Sequence, residues 1–374
     1  MLAALHLAEV AGLGSLFADA LAPIDPNLGA EVTARVRANR LAAELQADLQ
    51  VEPVLHLALS TLADAGIEPI ALKGIALAYG TYADPYWRAV SDIDLLIERS
   101  ELADATTALR HAGFEADGPI LPRGHQHSPA LREPRYDLTV ELHTDVVPDD
   151  CPYDLDPAAL RARAKLIEIV SLQTRVLSPT DALIVACIHE SWVHRYAWRP
   201  LRCLVDVLAL THRHAMEIDW EALMSRTRRA KADGAVYWPL WLSAMWLGAQ
   251  VSRAALSDLA PHRGARWTIG AALSPCLLIR RQVPARSEDG TLIQLFVELS
   301  LLTGCPVSTQ IGVLMRRLFA PVDSASQALA TADHSCGARA ARSGSLARAS
   351  RGAAAFRRLV RRSATGGIVW SVAS

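Results

Sequence analysis

The chain has 374 residues, of which 51% are hydrophobic and 21% charged, and its formal net charge is -1. A chain of that length and composition is globular, can bury a large interior, and suggests two or three units rather than one small core. Its six cysteines show no C-x-x-C pairing, which argues against a disulfide framework or a cysteine-built metal site.

No basic start followed by an apolar run and a small-residue cleavage site opens the chain, so the expected location is cytoplasmic. From Met1 to about Ala65 the pattern is helical, with Leu41, Leu45 and Leu49 at i+4 spacing; these read as scaffold helices. "GIEPIALKG" then reads as a turn and a short apolar strand ending at Lys73-Gly74, and "IALAYGTY" as a helix.

The stretch "WRAVSDIDLLIERS" sets two acids in an apolar strand. Asp92 and Asp94 are one residue apart, so both carboxylates project from one face while Ile93, Leu95 and Ile97 take the other. Paired carboxylates resist burial unless something compensates them, most economically a divalent cation. Ser100 then stands where a helix N-cap belongs and Gly113 where a glycine would stop that helix. Residues 117–135 read as loop.

In "YDLTVELHTDVV" strict alternation returns: Tyr136, Leu138, Val140 and Leu142 on one side, Asp137, Thr139, Glu141, His143 and Asp145 on the other. From about Asp156 to Ala320 the segments read as helices, with Ser178-Pro179 at one start. The uncharged run Ala235–Ser252 reads as a buried helix, because Pro239, Gln250 and three tryptophans suit a membrane span poorly. Between His334 and Ser363 lie eight arginines and no acid. The expectation there is a solvated tail, with nucleic-acid contact a minor role because no aromatics interleave for base stacking.

If the two acidic strands are neighbours, Asp92, Asp94 and Glu141 converge on a volume fit for one or two Mg²⁺ ions, or Mn²⁺ in their place. Such a site suits phosphoryl or nucleotidyl transfer. Lys73 and Gly74 close the first strand at a strand-to-helix junction that favours phosphate. Lys73 is one of only three lysines against thirty-five arginines, so its presence points to a phosphate contact. Arg88, four residues before Asp92, reads either as a phosphate clamp or as a partner for an acid. The histidines at 125, 127, 189, 194, 212 and 214 show no zinc spacing and read as loop or core hydrogen bonders. Arg202 and Asp206 read as an intrahelical pair.

"LKG", "WRAVSDIDLLI" and "VELH", in that order and spacing, resemble the uncharacterised bacterial nucleotidyltransferase family of the polymerase-beta-like superfamily, and the likeness extends over most of the chain. The resemblance implies an α+β fold: a small mixed β-sheet core at 66–150, N-terminal helices at 1–65, a larger helical region at 151–325 and an Arg/Ala/Ser-rich tail at 326–374. It implies Asp92, Asp94 and Glu141 as metal-binding catalytic carboxylates and Lys73-Gly74 at the nucleotide turn, with Ile75 where the superfamily usually has serine or glycine. Ser91 and His143 would lie at the rim, joining Lys73, Gly74 and Arg88 in nucleotide binding. The implied activity is transfer of a nucleoside monophosphate from a triphosphate, with ATP the expected donor, onto a small molecule, peptide or protein. A kinase-like transfer at the same metal site, or a degenerate fold acting as a binding module, are the alternatives.

Overall fold

The computed structural model describes residues 2–261 except 22–29, 118–126, 150, 195 and 197–199, together with 263, 266, 270 and 273. The Arg-rich tail, Trp267 and three of the cysteines (276, 305 and 336) lie outside the described residues. Cys187 and Cys203 are free, buried thiols.

The chain opens with helices α1 (Leu2–Val10), α2 (Gly14–Leu21), α3 (Ala30–Gln46) and α4 (Glu52–Asp64), with one π-helical turn, Ala47–Val51, between the last two. The leucine row at 41, 45 and 49 faces outward, at 47–59% exposure. A three-residue i+4 ridge is too narrow to dock a helix by itself; α3 is held instead by polar clasps, Arg35 and Asn39 to Glu9 and Arg40 to Asp19.

Seven strands follow: β1 (Ile70–Ala71), β2 (Asp92–Leu96), β3 (Glu115–Asp117), β4 (Ala130–Glu133), β5 (Leu138–His143), β6 (Lys165–Ile169) and β7 (Leu172–Val176). They form one mixed sheet in the order β3-β4-β5-β2-β1-β7-β6. The pairs β2–β5 and β1–β7 are parallel and the other neighbours antiparallel. The fold is therefore α+β, as the resemblance implied.

Two parts of the sheet depart from the sequence expectation. β3 runs into the segment read as loop and β4 lies within it, and β6 with β7 lies in the segment read as wholly helical. The β6–β7 hairpin turns at Val170 and Ser171, both at positive φ (46° and 63°), without the Asn or Gly that advertises such a turn.

Helix α5 (Lys73–Gly80) follows β1 directly. Helix α6 (Leu102–His111) begins through a 3₁₀ turn whose cap is Glu98, not Ser100: Glu98 and Glu101 form a reciprocal capping box, which satisfies two orphan backbone donors where a lone serine would satisfy one. Gly113, at φ 103°, ends that helix as expected. Helices α7 (Pro157–Ala162), α8 (Pro179–Ile188), α9 (Pro200–Arg213), α10 (Trp220–Arg229), α11 (Asp233–Leu247) and α12 (Arg253–Asp258) complete the described chain. Ser178 caps α8 by accepting from Asp181 N. The tryptophan-rich run is the buried helix α11, with Pro239 inside it and Trp238 enclosed in the core. No described helix is long and apolar enough to cross a membrane.

The sheet divides two cores. Ile93, Leu95, Val140 and Leu142 pack with Val54, Leu55, Leu59 and Leu62 of α4 and Ala105 and Leu109 of α6. Ile70, Leu72 and Leu96 belong to the second core, built from the C-terminal helices through Leu183, Leu204, Val207 and Trp238. The acidic face of β2 therefore turns toward the helical half of the molecule.

Candidate active site

Register brings the acids together. β2 and β5 run side by side and parallel, with Asp92 opposite Thr139, Asp94 opposite Glu141 and Leu96 opposite His143. Because side chains alternate along a strand, Asp92, Asp94 and Glu141 share one face, and the apolar residues between them feed the core behind. The third element is the end of β1. Leu72 N bonds to Asp94 O at 2.9 Å, and the next residue, Lys73, takes φ 48° to turn the chain into α5. That turn sets Lys73 Nζ 2.8 Å from Asp94 Oδ1.

Asp94 is almost wholly buried, and its Oδ1 also lies 2.7 Å from His143 Nε2. Burial alone would raise its carboxyl pKa, but the Lys73 ammonium and the His143 hydrogen bond outweigh that and hold it well below the usual range. Lys73 responds in kind: desolvation would lower it, yet Asp94 keeps it raised and charged. Asp92 moves the other way, pushed up first by burial and then by the neighbouring charge of Asp94, with Glu141 adding to it. Glu141 lies low despite burial because His143 bonds to it and His127 and Lys73 add positive potential.

The eight residues singled out in the sequence fall into three groups. Asp92, Asp94, Glu141 and Lys73 gather on one face of the sheet, close enough for their charges to act on one another. Ser91 is exposed beside it and donates Oγ–H to Asp92 Oδ1 at 3.0 Å, while Gly74 starts α5, where an added Cβ would meet only ordinary contacts from Arg88 and Val90. Arg88 and His143 are buried, which takes His143 away from the rim where it was expected. The Arg88 guanidinium grips Asp206 of α9 through Nε at 2.8 Å and Nη2 at 3.1 Å. Tyr82 donates to the same aspartate at 2.7 Å. His143 has no exposed surface.

Other neighbours of the site carried no sequence signal. His127 follows the segment outside the described residues and bridges to His143 across the sheet edge. It donates Nδ1–H to Ser128 O at 2.7 Å and brings Nε2 to 3.5 Å from Glu141 Oε2. His189 and His194 lie on a π-helical segment, His189–His194, with ring centroids 4.4 Å apart. Burial lowers both pKa values, that of His194 to about 4, and both feel the charges of Lys73 and Asp94. A lone histidine looks the same in a sequence whether it lines a site or fills a core, and only the packing of α8 against the sheet's second core separates the two.

The donors fit a hard divalent cation. One ligand atom each from Asp94, Glu141 and His143 lies within 4.8 Å of the others. Asp92 stands outside that group of three but on the same face. Its pKa is raised by burial first and by the neighbouring carboxylates of Asp94 and Glu141 after it, and a cation would offset both.

A family model described as an uncharacterised nucleotidyltransferase matches residues 2–248, more than half of the chain and the whole of this site. No curated protein and no solved structure matches the chain. Parallel strands presenting three carboxylates beside a lysine at a strand-to-helix turn, within a span matched throughout by that model, place the chain in the uncharacterised nucleotidyltransferase family.

Proposed function

We propose that the protein transfers a nucleoside monophosphate from a nucleoside triphosphate, ATP in the first instance, to a hydroxyl-bearing small molecule, peptide or protein, with release of pyrophosphate. The observation that carries this reading is the register of β2 on β5, which sets Asp94 opposite Glu141 with Asp92 on the same face. Asp92, Asp94 and Glu141 would hold Mg²⁺ or Mn²⁺. Bound there, the ion would polarise the α-phosphate and offset charge on the departing pyrophosphate. Lys73 would share its ammonium between Asp94 and the phosphates, and the N-terminus of α5 adds to the same region. Ser91, exposed beside Asp92, borders the nucleotide. Gly74 keeps the start of α5 free of a side chain. Arg88 acts from behind, fixing the loop that delivers Asp92. The acceptor's proton passes to a carboxylate or imidazole of the site as its oxygen attacks the α-phosphorus and the bond to pyrophosphate breaks.

Thermal unfolding tests the binding half of this reading. ATP is expected to raise the Tm only when Mg²⁺ or Mn²⁺ is present, and Asp94→Asn is expected to remove the effect. The transfer half is tested by following label from α-³²P-ATP into cell-extract components. Label transferred from the γ-position alone would replace this reading with phosphoryl transfer, and a metal-independent nucleotide effect would leave a binding module.

A further inference from the structure

The buried histidine of β5 can be assigned a role by the protons it can carry. Lys73 Nζ can only donate, so Asp94 Oδ1, 2.8 Å from it, is an acceptor, and the 2.7 Å contact from His143 Nε2 to the same oxygen places the ring proton on Nε2. The 3.5 Å approach between Lys73 Nζ and His143 Nε2 is then two donors converging on one acceptor. The other ring nitrogen, Nδ1, is buried and has no hydrogen-bond partner among the described residues.

A histidine that ligates a metal almost always anchors its second nitrogen by donating N–H to a carboxylate, carbonyl or water. Among the described residues the second nitrogen of His143 meets no carboxylate or carbonyl acceptor. If Nε2 gave its lone pair to a cation, the proton would have to move to Nδ1 and become a buried N–H that no described residue receives, an arrangement native structures avoid. The side-chain hydrogen bonds to the Asp94 carboxylate from the described residues both end on Oδ1, which leaves Oδ2 as the oxygen available to a cation. His127 has the opposite arrangement: its Nδ1 is anchored on Ser128 O, and its Nε2 faces Glu141.

We infer that His143 is a positioning residue, which donates Nε2–H to Asp94 Oδ1 and aims Oδ2 at the metal while remaining outside the metal's own ligands. The inference rests on the metal-dependent reading proposed above.

The test measures Mn²⁺ binding by electron paramagnetic resonance in the presence of ATP, for the wild type, His143→Gln, His143→Leu and Asp94→Asn. Glutamine keeps an N–H donor near the position of Nε2 and removes the imidazole. His143→Gln is expected to bind Mn²⁺ within about threefold of wild type and His143→Leu about 10- to 100-fold more weakly, the usual loss when a supporting partner is removed. Nitrogen spin-echo modulation on the bound Mn²⁺ is expected to be identical in wild type and His143→Gln. Loss of a metal-bound nitrogen signal in His143→Gln would overturn the inference, as would equal weakening in both variants. Should His143→Leu not fold, the comparison of wild type with His143→Gln decides alone. A wild type that binds no Mn²⁺ with ATP, unchanged in Asp94→Asn, overturns the metal reading and this inference with it, an outcome distinct from the loss of a nitrogen ligand.

Discussion

Asp92 is the least comfortable residue of the site. Burial and the charges of Asp94 and Glu141 raise its pKa above the ordinary value. Its contribution to stability is therefore full below the ordinary carboxyl range and is lost as pH rises through its folded-state pKa. At neutral pH the metal-free protein holds a carboxylate it would be more stable without. Asp92→Asn is expected to raise the metal-free Tm at pH 7, by about 2–4 °C for a gain of about 1 kcal/mol, and to remove the further rise with Mg²⁺ and ATP. Scanning calorimetry with and without metal checks both halves. Glu190 offers a second test of the same physics: it is buried, its Oε1 has no partner among the described residues, and burial raises its pKa to about 8. Stability contributed by its neutral form is present at low pH and lost as pH climbs through about 8. Glu190→Gln is expected to match the wild-type Tm near pH 6 and exceed it at pH 9.

Among the elements, those bearing chemistry were legible because each announced itself by a period. β2 and β5 alternate cleanly, and α8 carries its serine cap and first-turn proline. The β6–β7 hairpin was not legible. Its turn places Val170 and Ser171 in the left-handed region, at a cost of roughly 1–2 kcal/mol per non-glycine residue. The sheet supports that cost by pairing β7 with β1 and packing Val176 into the core. Ser171 is exposed, so Ser171→Gly relieves strain without removing packing. The expected outcome is a gain of about 0.5–1 kcal/mol by urea unfolding, after the added chain entropy of glycine is subtracted. Strands β3 and β4 were missed for a simpler reason: three exposed residues in one, and four alternately half-buried and buried in the other, are too short for a period to show.

At the scale of the whole molecule, one buried cluster joins the strand-bearing half to the helical half. Arg88 precedes β2, Tyr82 follows α5, and both close on Asp206 of α9, 118 and 124 residues away in sequence. Breaking a buried ion pair by removing one partner leaves an uncompensated charge and costs about 3–5 kcal/mol. Asp206→Ala is expected to destabilise by that amount, and adding Arg88→Met to recover much of it, as read by chemical denaturation. The sequence expectation paired Asp206 with Arg202 on its own helix, the contact that local spacing makes visible. What the sequence determined by itself was the polar face of each acidic strand, since alternation is a local property of extended backbone. The tertiary structure decided which strands became neighbours, and so that Asp94 meets Glu141, that Lys73 reaches Asp94, and that Arg88 and His143 are buried behind the site. Those outcomes depend on register and on packing between segments far apart in the chain, which no local pattern encodes.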